Sequence, residues 1–484
     1  MITAAAPADS ARPYSTRLRT ALVLTGTGTA GAYHAGVLRA LHEAGVRVDL
    51  VAGRGMGAAG AIFAAVDGGQ RLWDTAGLWK GGRLARAYQW RQPLRVAGWA
   101  LVTAAALLGV PLVVLAFGVV TALVGVLLAL VSLESSSTAV TSWYQRTVDA
   151  LFSPAALPTI VPRLILLCLL VAVVALAAGA AAAAWRATTR RRVRQTSLWR
   201  LFGAPLSTRL VVDGTIGELW NLIRGAAAIA PPPRADLGRR YTDLLAENLG
   251  QPGFRELLIV AHDVDARHDV TFALLAEAHR PRFFARPAGE GGRAAEAVDL
   301  AGAGRDHLVD ALAASLALPI ASDPHLVRLA PEGPWKGETH RICDRPGALV
   351  RLLEEVAVAG VEQVIVVSAA PPPARPHELG TSRADPRGRA AEQLIAFEAA
   401  GLRDALAPHG TAFANTYAIR PSHNPLGPLD FTGVYDERSD RRFSVAELVD
   451  RGYEDAYRQF IEPVVAAGAE RIAAPQSNPD LAIR

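Results

Sequence analysis

Two long stretches of this 484-residue chain carry no charged residue: the first runs from Val96 to Leu133 and the second from Leu164 to Trp185. A helix needs about 20 apolar residues to cross a bilayer, so each stretch is long enough to span a membrane. The alternative is a buried core helix, but core helices seldom contain as many as about 18 consecutive residues without a charge. The sequence therefore predicts a two-helix transmembrane hairpin with spans at about 98–131 and 164–185.

Basic residues flank these stretches and are sparse between them. Those before the first stretch are Lys80, Arg83, Arg86, Arg91 and Arg95, and those after the second are Arg186, Arg190, Arg191, Arg192, Arg194 and Arg200. The segment between carries Glu134, Arg146, Asp149 and Arg163, whose charges sum to zero. Because positive charge collects on the cytoplasmic side, we predict an integral protein of the plasma or inner membrane. Its remaining domain is expected in the cytoplasm, and the short loop between the spans outside.

The overall charge does not require a nucleic-acid partner. The net charge is +5 and the pI about 9.4, values that would suit nucleic-acid binding. The flanking arginines more than account for this excess, and no RNA- or DNA-binding module is recognisable. Binding to anionic lipid headgroups explains the excess of positive charge better, so membrane lipids are the expected partner. A protein partner is left open. With Cys168 in the second stretch and Cys343 far from it, no disulfide, metal site or cofactor is predicted.

The chain before the first apolar stretch follows a regular order. It reads as a strand, a glycine loop, a helix, a second strand, a tight bend and a further helix, at 21–25, 26–31, 32–44, 48–52, 53–57 and 58–66. This order opens a parallel α/β sheet. In hydrolases of that architecture, a strained turn between glycines after a strand presents the nucleophile.

The order and spacing resemble the patatin-like phospholipase family. In that family the first strand leads into a Gly-Gly-Gly-x-Arg-Gly oxyanion loop and then into Ala-Tyr-x-x-Gly-Val-Leu, and the second strand leads into Gly-x-Ser-x-Gly. Residues 32–38 read Ala-Tyr-His-Ala-Gly-Val-Leu and match the middle motif. The resemblance implies an α/β fold, with a parallel or mixed sheet flanked by helices and interrupted by the transmembrane hairpin.

Two residues depart from the family's chemistry. Gly55 stands where the family has its serine, so no hydroxyl is present there to attack an ester carbonyl. Ala30 replaces the arginine of the oxyanion loop, which removes a cation from the place where negative charge would develop. Loss of the serine from a well-studied hydrolase costs about a millionfold in turnover. The resemblance implies an oxyanion loop made of Gly26, Thr27, Gly28, Ala30 and Gly31.

A dinucleotide site is a competing interpretation of the same loop. Residues 26–31 satisfy the pattern Gly-x-Gly-x-x-Gly, and Asp49 lies near the distance expected for the ribose-binding acid. That acid belongs at the carboxyl end of the second strand. Because Asp49 sits near the start of that strand, nucleotide binding is disfavoured.

The second half of the chain holds the expected dyad aspartate. Residues 314–319 read Ala-Ser-Leu-Ala-Leu-Pro and match the family's Ala-Ser-x-Ala-x-Pro, in which Ser315 is expected to pack or cap. The family continues to Asp-Gly-Gly, whose aspartate is the general base. Residues 343–347 read Cys-Asp-Arg-Pro-Gly here, so the resemblance implies Asp344 for that position without its glycines. Asp213, also followed by glycine, is the less favoured candidate.

These patterns predict five segments. They are a polar tail at 1–20 without the apolar core of a signal peptide, a first patatin-like part at 21–80, the inserted hairpin at 81–195, a second patatin-like part at 196–370, and a C-terminal extension packed on the domain at 371–484. Within the extension, the polar loop at 420–441 is expected to be solvated or salt-bridged rather than a ligand site.

Three elements of one mechanism are therefore degenerate together: the nucleophile, the oxyanion loop and the glycines after the aspartate. This pattern predicts a catalytically inactive relative of lipid acyl hydrolases that retains a lipid-sized cleft and has a lipid-binding or regulatory role. One alternative is an active hydrolase that uses Thr27, Ser315 or a water held by Asp344. Another is a membrane scaffold, which the sequence does not separate from the first interpretation.

Overall fold

The structure is a computed structural model that describes residues 14–152, 161–188, 204–285, 295–331, 335–373, 385–409 and 412–466. Most of the predicted polar tail and the arginines between 190 and 200 lie outside these residues. The described chain forms two compact units. The first comprises the residues up to Gln89 and those from Ser207 onward, and the second runs from Trp90 to Leu206.

The first unit is built on a nine-stranded sheet within the described residues. Its strands are β1 (Thr20–Thr25), β2 (Leu50–Gly53), β3 (Glu256–Asp263), β4 (His268–Leu274), β5 (Ala295–Asp299), β6 (His325–Arg328), β7 (Thr339–Cys343), β8 (Gln363–Ser368) and β9 (Asn415–Ile419). A separate hairpin is formed by β10 (Val434–Asp436) and β11 (Arg441–Phe443).

The helices follow in chain order, with α4 to α6 in the second unit. They are α1 (Ala30–Glu43), α2 (Met56–Ala65), α3 (Gln70–Trp73), α4 (Gln92–Leu130), α5 (Glu134–Phe152), α6 (Val161–Thr188), α7 (Arg209–Arg224), α8 (Arg234–Asn248), α9 (Arg280–Phe284), α10 (Leu308–Ser315), α11 (Leu349–Val358), α12 (Pro386–His409) and α13 (Val445–Ala456). A short 3-10 turn spans Arg305–His307, and a π-helical segment spans Tyr457–Ala466.

The sheet is mixed. Its main order is β5-β4-β3-β2-β1-β8-β9. The strands from β3 through β2, β1 and β8 to β9 are parallel neighbours, whereas β3 pairs antiparallel with both β4 and β7. Strands β1 and β8 are buried along their whole length, as expected for parallel strands covered by helices on both faces. The predicted α/β fold, with a mixed sheet flanked by helices, is confirmed.

The last helix packs closely on the first. A Cβ added at Gly36 of α1 would lie 1.8 Å from the carbonyl oxygen of Val449 in α13, and one added at Gly452 would lie 2.2 Å from the carbonyl oxygen of Tyr33. The Tyr33 hydroxyl donates a 3.1 Å hydrogen bond to Asp455. These glycines allow the two backbones to approach more closely than any side chain would permit.

The second unit contains both long apolar helices. Among the described residues, Gln92–Leu130 and Pro162–Ala182 are long and apolar enough to cross a membrane, and little of either is buried within the protein. The predicted short loop between them is different in the structure, because most of it forms the 19-residue helix α5. This helix packs along α4: Tyr144 donates a 2.8 Å hydrogen bond to the Val114 carbonyl and Ser137 a 2.9 Å bond to the Gly125 carbonyl.

The α1–α13 crossing generates a prediction. We expect Gly36→Ala to destabilise the first unit by about 1–3 kcal/mol, because the added methyl must push α13 away. The matched control is Gly217→Ala in α7, where an added Cβ meets no heavy atom within 4 Å; this change should leave stability unchanged or raise it by up to about 1 kcal/mol. Thermal unfolding in detergent measures both, and equal midpoints for the two variants would contradict the close crossing.

Candidate functional site

The bend after β2 keeps the backbone of a nucleophile turn. Gly55 has φ +55° and ψ −131°, in the left-handed region that favours glycine. The bend is bound to the glycine loop, because the Met56 amide donates a 2.8 Å hydrogen bond to the Gly26 carbonyl. At Gly57 an added Cβ would lie 2.0 Å from the Leu24 carbonyl oxygen. The strained turn is therefore present without the side chain that it would carry in a hydrolase.

The structure brings residue 55 and Asp344 together. A Cβ added at Gly55 would lie 3.0 Å from Oδ2 of Asp344 and 2.5 Å from the Gly26 carbonyl oxygen. A serine at this position would thus place its hydroxyl next to the carboxyl group, although the glycine loop would have to shift to admit it. Asp213, by contrast, lies on α7 at the surface, where it pairs with Arg209 and Arg234.

A buried arginine occupies the centre of this arrangement. Arg54 is 1% exposed and its guanidinium donates a 2.9 Å hydrogen bond to Oδ1 of Asp344. The same guanidinium also forms an ion pair with Glu398 of α12. Two hydroxyls complete the cluster: Thr25 donates to Glu398 at 2.5 Å, and Thr27 donates to Oδ2 of Asp344 at 3.4 Å. One cation is thereby held between two buried carboxyl groups.

The cluster sets one cation against two carboxyl groups. Burial alone would lower the pKa of Arg54, but the carboxylates of Glu398 and Asp344 outweigh it and raise that pKa, so the guanidinium stays charged. Burial raises the pKa of Asp344 above its ordinary value, and Arg54 opposes this shift while Glu398 adds to it. The two carboxyl groups thus oppose each other's ionisation, while the guanidinium favours it.

His34 lies beneath the same loop and is uncharged. Burial lowers its pKa to about 4, and its Nε2 lies 3.0 Å from the Thr25 carbonyl oxygen. Since a carbonyl only accepts, Nε2 carries the proton. His34 therefore supports the end of β1 and adds no cation to the site.

The glycine loop is held by a segment near the C-terminal end of the described chain. The Thr29 amide donates a 3.0 Å hydrogen bond to the Pro428 carbonyl, and its hydroxyl a 2.9 Å bond to the Gly427 carbonyl. The amides of Ala30 and Gly31 donate to carbonyls of the loop itself at 3.2 and 3.3 Å. These three amides are thus already bonded within the protein and are not directed at a ligand.

Residues 22–109 match the family model of patatin-like phospholipases. This part of the chain belongs to the patatin-like phospholipase family. The match begins in β1, takes in the glycine loop and the bend, and ends inside α4. No curated protein sequence matches the chain.

Among solved structures, that of VipD from Legionella pneumophila is similar at 14% identity. The alignment covers 95% of this chain and 70% of that one, with a TM-score of 0.29. A likeness this weak supports no conclusion about the chain.

A cavity borders the glycine loop of this patatin-like site. It encloses about 60 Å³, and its lining residues include Gly26, Thr27, Ala30, Leu394, Glu398 and Pro428. Pockets for small molecules typically enclose about 300–1,000 Å³. The expected lipid-sized cleft is therefore not formed by this cavity, which is too small for an acyl chain.

The other residues singled out in the sequence lie outside the Arg54 cluster. Ser315 is buried on α10, and within the described residues its hydroxyl has no hydrogen-bond partner. Asp49 accepts a 2.9 Å hydrogen bond from the Thr20 amide at the start of β1, far along the strand from the glycine loop. In the polar loop, Asp436 pairs with His423 at 3.1 Å and accepts from Ser439 at 2.7 Å. Among the described residues no cluster of His, Cys, Asp or Glu is arranged to hold a metal ion.

The sequence did not point to Arg54 or Glu398. Residue 54 is the variable position of the Gly-x-Ser-x-Gly pattern, and an arginine in an otherwise apolar strand and bend was the one available signal. Glu398 lies within α12, where nothing distinguishes it from a surface glutamate. Only the fold shows that the two side chains meet.

The buried cluster generates a prediction with a pH dependence. We expect Arg54→Met to destabilise the protein by about 3–5 kcal/mol at neutral pH, because two buried carboxyl groups lose their cation. Burial raises the folded-state pKa of Asp344 above its unfolded value, and Arg54 no longer opposes that shift in the variant. The stability that Asp344 contributes is therefore present at acid pH and lost as the pH rises through that raised pKa, so the deficit should be smaller at pH 5 than at pH 8.

The matched control is Arg39→Met. Arg39 pairs with Glu43 at 2.8 Å on the surface, and such pairs contribute at most about 1 kcal/mol. Thermal midpoints in detergent at pH 5 and pH 8 compare the two variants. If Arg54→Met behaves like Arg39→Met at both pH values, the cluster does not stabilise the fold.

Proposed function

We propose that this patatin-like protein is an integral membrane protein that does not hydrolyse lipid esters and has a lipid-associated binding or regulatory role. The observation that supports the proposal is the arrangement of residue 55 and Asp344. Position 55 has no side chain, and the aspartate next to it is bound by a buried arginine. Both features lie where the chemistry of the family takes place.

The arrangement departs from each of three requirements of acyl transfer. A covalent intermediate needs an atom that can be acylated, and Gly55 offers none. A general base needs a free lone pair directed at the proton that it removes; Oδ2 of Asp344 faces position 55, where no hydroxyl is present, and Oδ1 is bound by Arg54. An oxyanion hole needs donors directed at the developing charge, and the Thr29 amide is bonded to Pro428 instead.

The second unit supports integration into a membrane. Its helices α4 and α6 have 39 and 28 residues, which is more than the number that crosses about 30 Å of hydrocarbon. Many of their leucine and valine side chains are not covered by the rest of the chain. An apolar surface of this extent needs lipid or another protein to cover it. The basic residues flanking the spans favour a cytoplasmic position for the patatin-like unit.

A fluorophosphonate probe, which reacts with activated serines, tests the absence of activity. We expect no covalent adduct on the full chain, in detergent or in membranes, while an active serine hydrolase treated in parallel is labelled. A stoichiometric adduct on any residue of this chain would overturn the proposal.

Gly55→Ser separates loss of the nucleophile from loss of the whole site. We expect this variant to stay unlabelled too, because the Gly26 carbonyl occupies the space next to the new Cβ and Arg54 still binds Asp344. Labelling of Gly55→Ser alone would show instead that only the serine has been lost.

A second candidate function is favoured by one contact. The Thr27 hydroxyl lies 3.4 Å from Oδ2 of Asp344, whereas the hydroxyl of Ser315, the other predicted alternative, has no partner within the described residues. If the protein is a hydrolase of this kind, fatty acid release from phospholipid vesicles should be lost in Thr27→Val. It should persist in Thr29→Val, whose hydroxyl bonds the Gly427 carbonyl on the same loop. We expect no release from either variant or from the unaltered chain.

A further inference from the structure

Ile320 is in an unusual position for its residue type. Its side chain is 97% exposed and its φ is +65°. A β-branched residue rarely adopts the left-handed region, because its Cβ substituents crowd the backbone there. The chain therefore combines backbone strain with an apolar side chain fully in solvent, a combination that a folded protein does not keep without compensation.

The loop that carries Ile320 is fixed from both sides. The Ser322 hydroxyl accepts a 2.8 Å hydrogen bond from the Leu318 amide, and the Ser322 amide donates a 3.1 Å bond to the Leu318 carbonyl. On the inner side, the Ala317 carbonyl accepts a 2.9 Å bond from the Asp344 amide. These bonds hold the loop against the candidate site with Ile320 pointing away from the protein.

The same loop lies next to the place where the chain leaves the first unit. The Leu316 carbonyl accepts a 2.9 Å hydrogen bond from the hydroxyl of Tyr88, a buried residue. From Tyr88 the chain continues to Gln92, the first residue of α4. The returning chain is alongside, because the Ser207 amide donates a 3.0 Å bond to the Gln89 carbonyl.

An extended chain spans at most about 3.3–3.6 Å per residue, so the Ile320 Cα lies within about 14 Å of Leu316.

Other residues close to this place in the chain suit a lipid surface. Leu210, in the first turn of α7 just after Ser207, is 47% exposed. Arg86 and Arg209 are exposed next to the leaving and returning chains. We call Arg86, Arg209, Leu210 and Ile320 the interfacial patch. Apolar side chains that enter the boundary between headgroups and acyl chains, together with cations that attract anionic headgroups, are typical of membrane-surface binding.

We propose that the interfacial patch docks the first unit on the bilayer, with Ile320 inserted at the boundary between headgroups and acyl chains. The inference rests on the proposed membrane integration, since α4, the first proposed span, begins three residues after Gln89. Burial in lipid removes the isoleucine side chain from water, which offsets the strain of its backbone. The loop next to Asp344 is then held against the membrane surface.

The test uses the full chain reconstituted in vesicles of phosphatidylcholine and phosphatidylglycerol. Ile320→Cys and, as matched control, Ile229→Cys are made in a Cys168→Ala, Cys343→Ala background and labelled with an environment-sensitive fluorophore. Ile229 is 58% exposed, and its carbonyl bonds Trp220 near the far end of α7, about 15 Å along the helix from Leu210. Both sites thus start from an exposed isoleucine on the same unit.

We expect the probe at position 320 to be quenched at least about twofold by lipids brominated near the headgroup end of the acyl chain, since docked side chains lie about 5–10 Å deep. Aqueous iodide should quench it little. The probe at position 229 should show the reverse. If iodide quenches both probes equally while the chain resists extraction by alkaline carbonate, the docking proposal is overturned and membrane integration stands. If carbonate extracts the chain, integration itself fails and the docking proposal with it.

Ile320→Asn separates docking from folding. Asparagine tolerates the left-handed region, so the thermal midpoint in detergent should not fall below that of the unaltered chain. With the fluorophore placed at Leu210→Cys, quenching by brominated lipid should drop at least about twofold in the Ile320→Asn background and stay unchanged in Ile229→Asn. Unchanged quenching in Ile320→Asn would show that this isoleucine does not anchor the unit.

Discussion

Three segments distant in sequence are joined by the guanidinium of Arg54. It lies in the bend after β2 and binds Asp344, which follows β7, and Glu398, which lies on α12. All three groups are almost fully buried, and charges in such a place are tolerated only when they are paired and hydrogen-bonded. The pairing therefore fixes how the bend, the end of β7 and α12 meet. The carboxyl group at the position of the family's base thus also holds these segments together.

The surrounding structure is consistent with this change of role. The glycine loop next to the bend is bonded to Pro428 and Gly427 rather than open, and Ala30 leaves it without a cation. The cavity beside it is small. A site that had lost only its serine would be expected to keep an open loop and an unpaired aspartate, and the difference from that arrangement is what supports the proposed loss of activity.

The sequence predicted what depends on local pattern. Alternating apolar runs and glycine-rich turns predicted β1, β2 and the bend at Gly55, because strand, helix and turn each have their own period and punctuation. The position of Asp344 came from family resemblance. The pairing of Arg54 with Glu398 joins residues far apart in sequence and has no local signature. Helix α5 was not predicted, because the segment was assigned only as the loop between the spans; in the structure the hydroxyls of Thr138 and Thr141 bond backbone carbonyls within the helix.

The order of strands in the sheet also constrains how the protein is made. Strand β1 lies between β2 and β8, and α1 receives its partner α13 only near the end of the described chain. A ribosome must therefore release residues up to Ala456 before the amino-terminal strand and helix are fully enclosed. The hydrophobic hairpin emerges long before that. With the proposed membrane integration, insertion into the bilayer would precede closure of the sheet, and the amino-terminal strand and helix would stay partly exposed at the membrane surface until the rest of the polypeptide is synthesised.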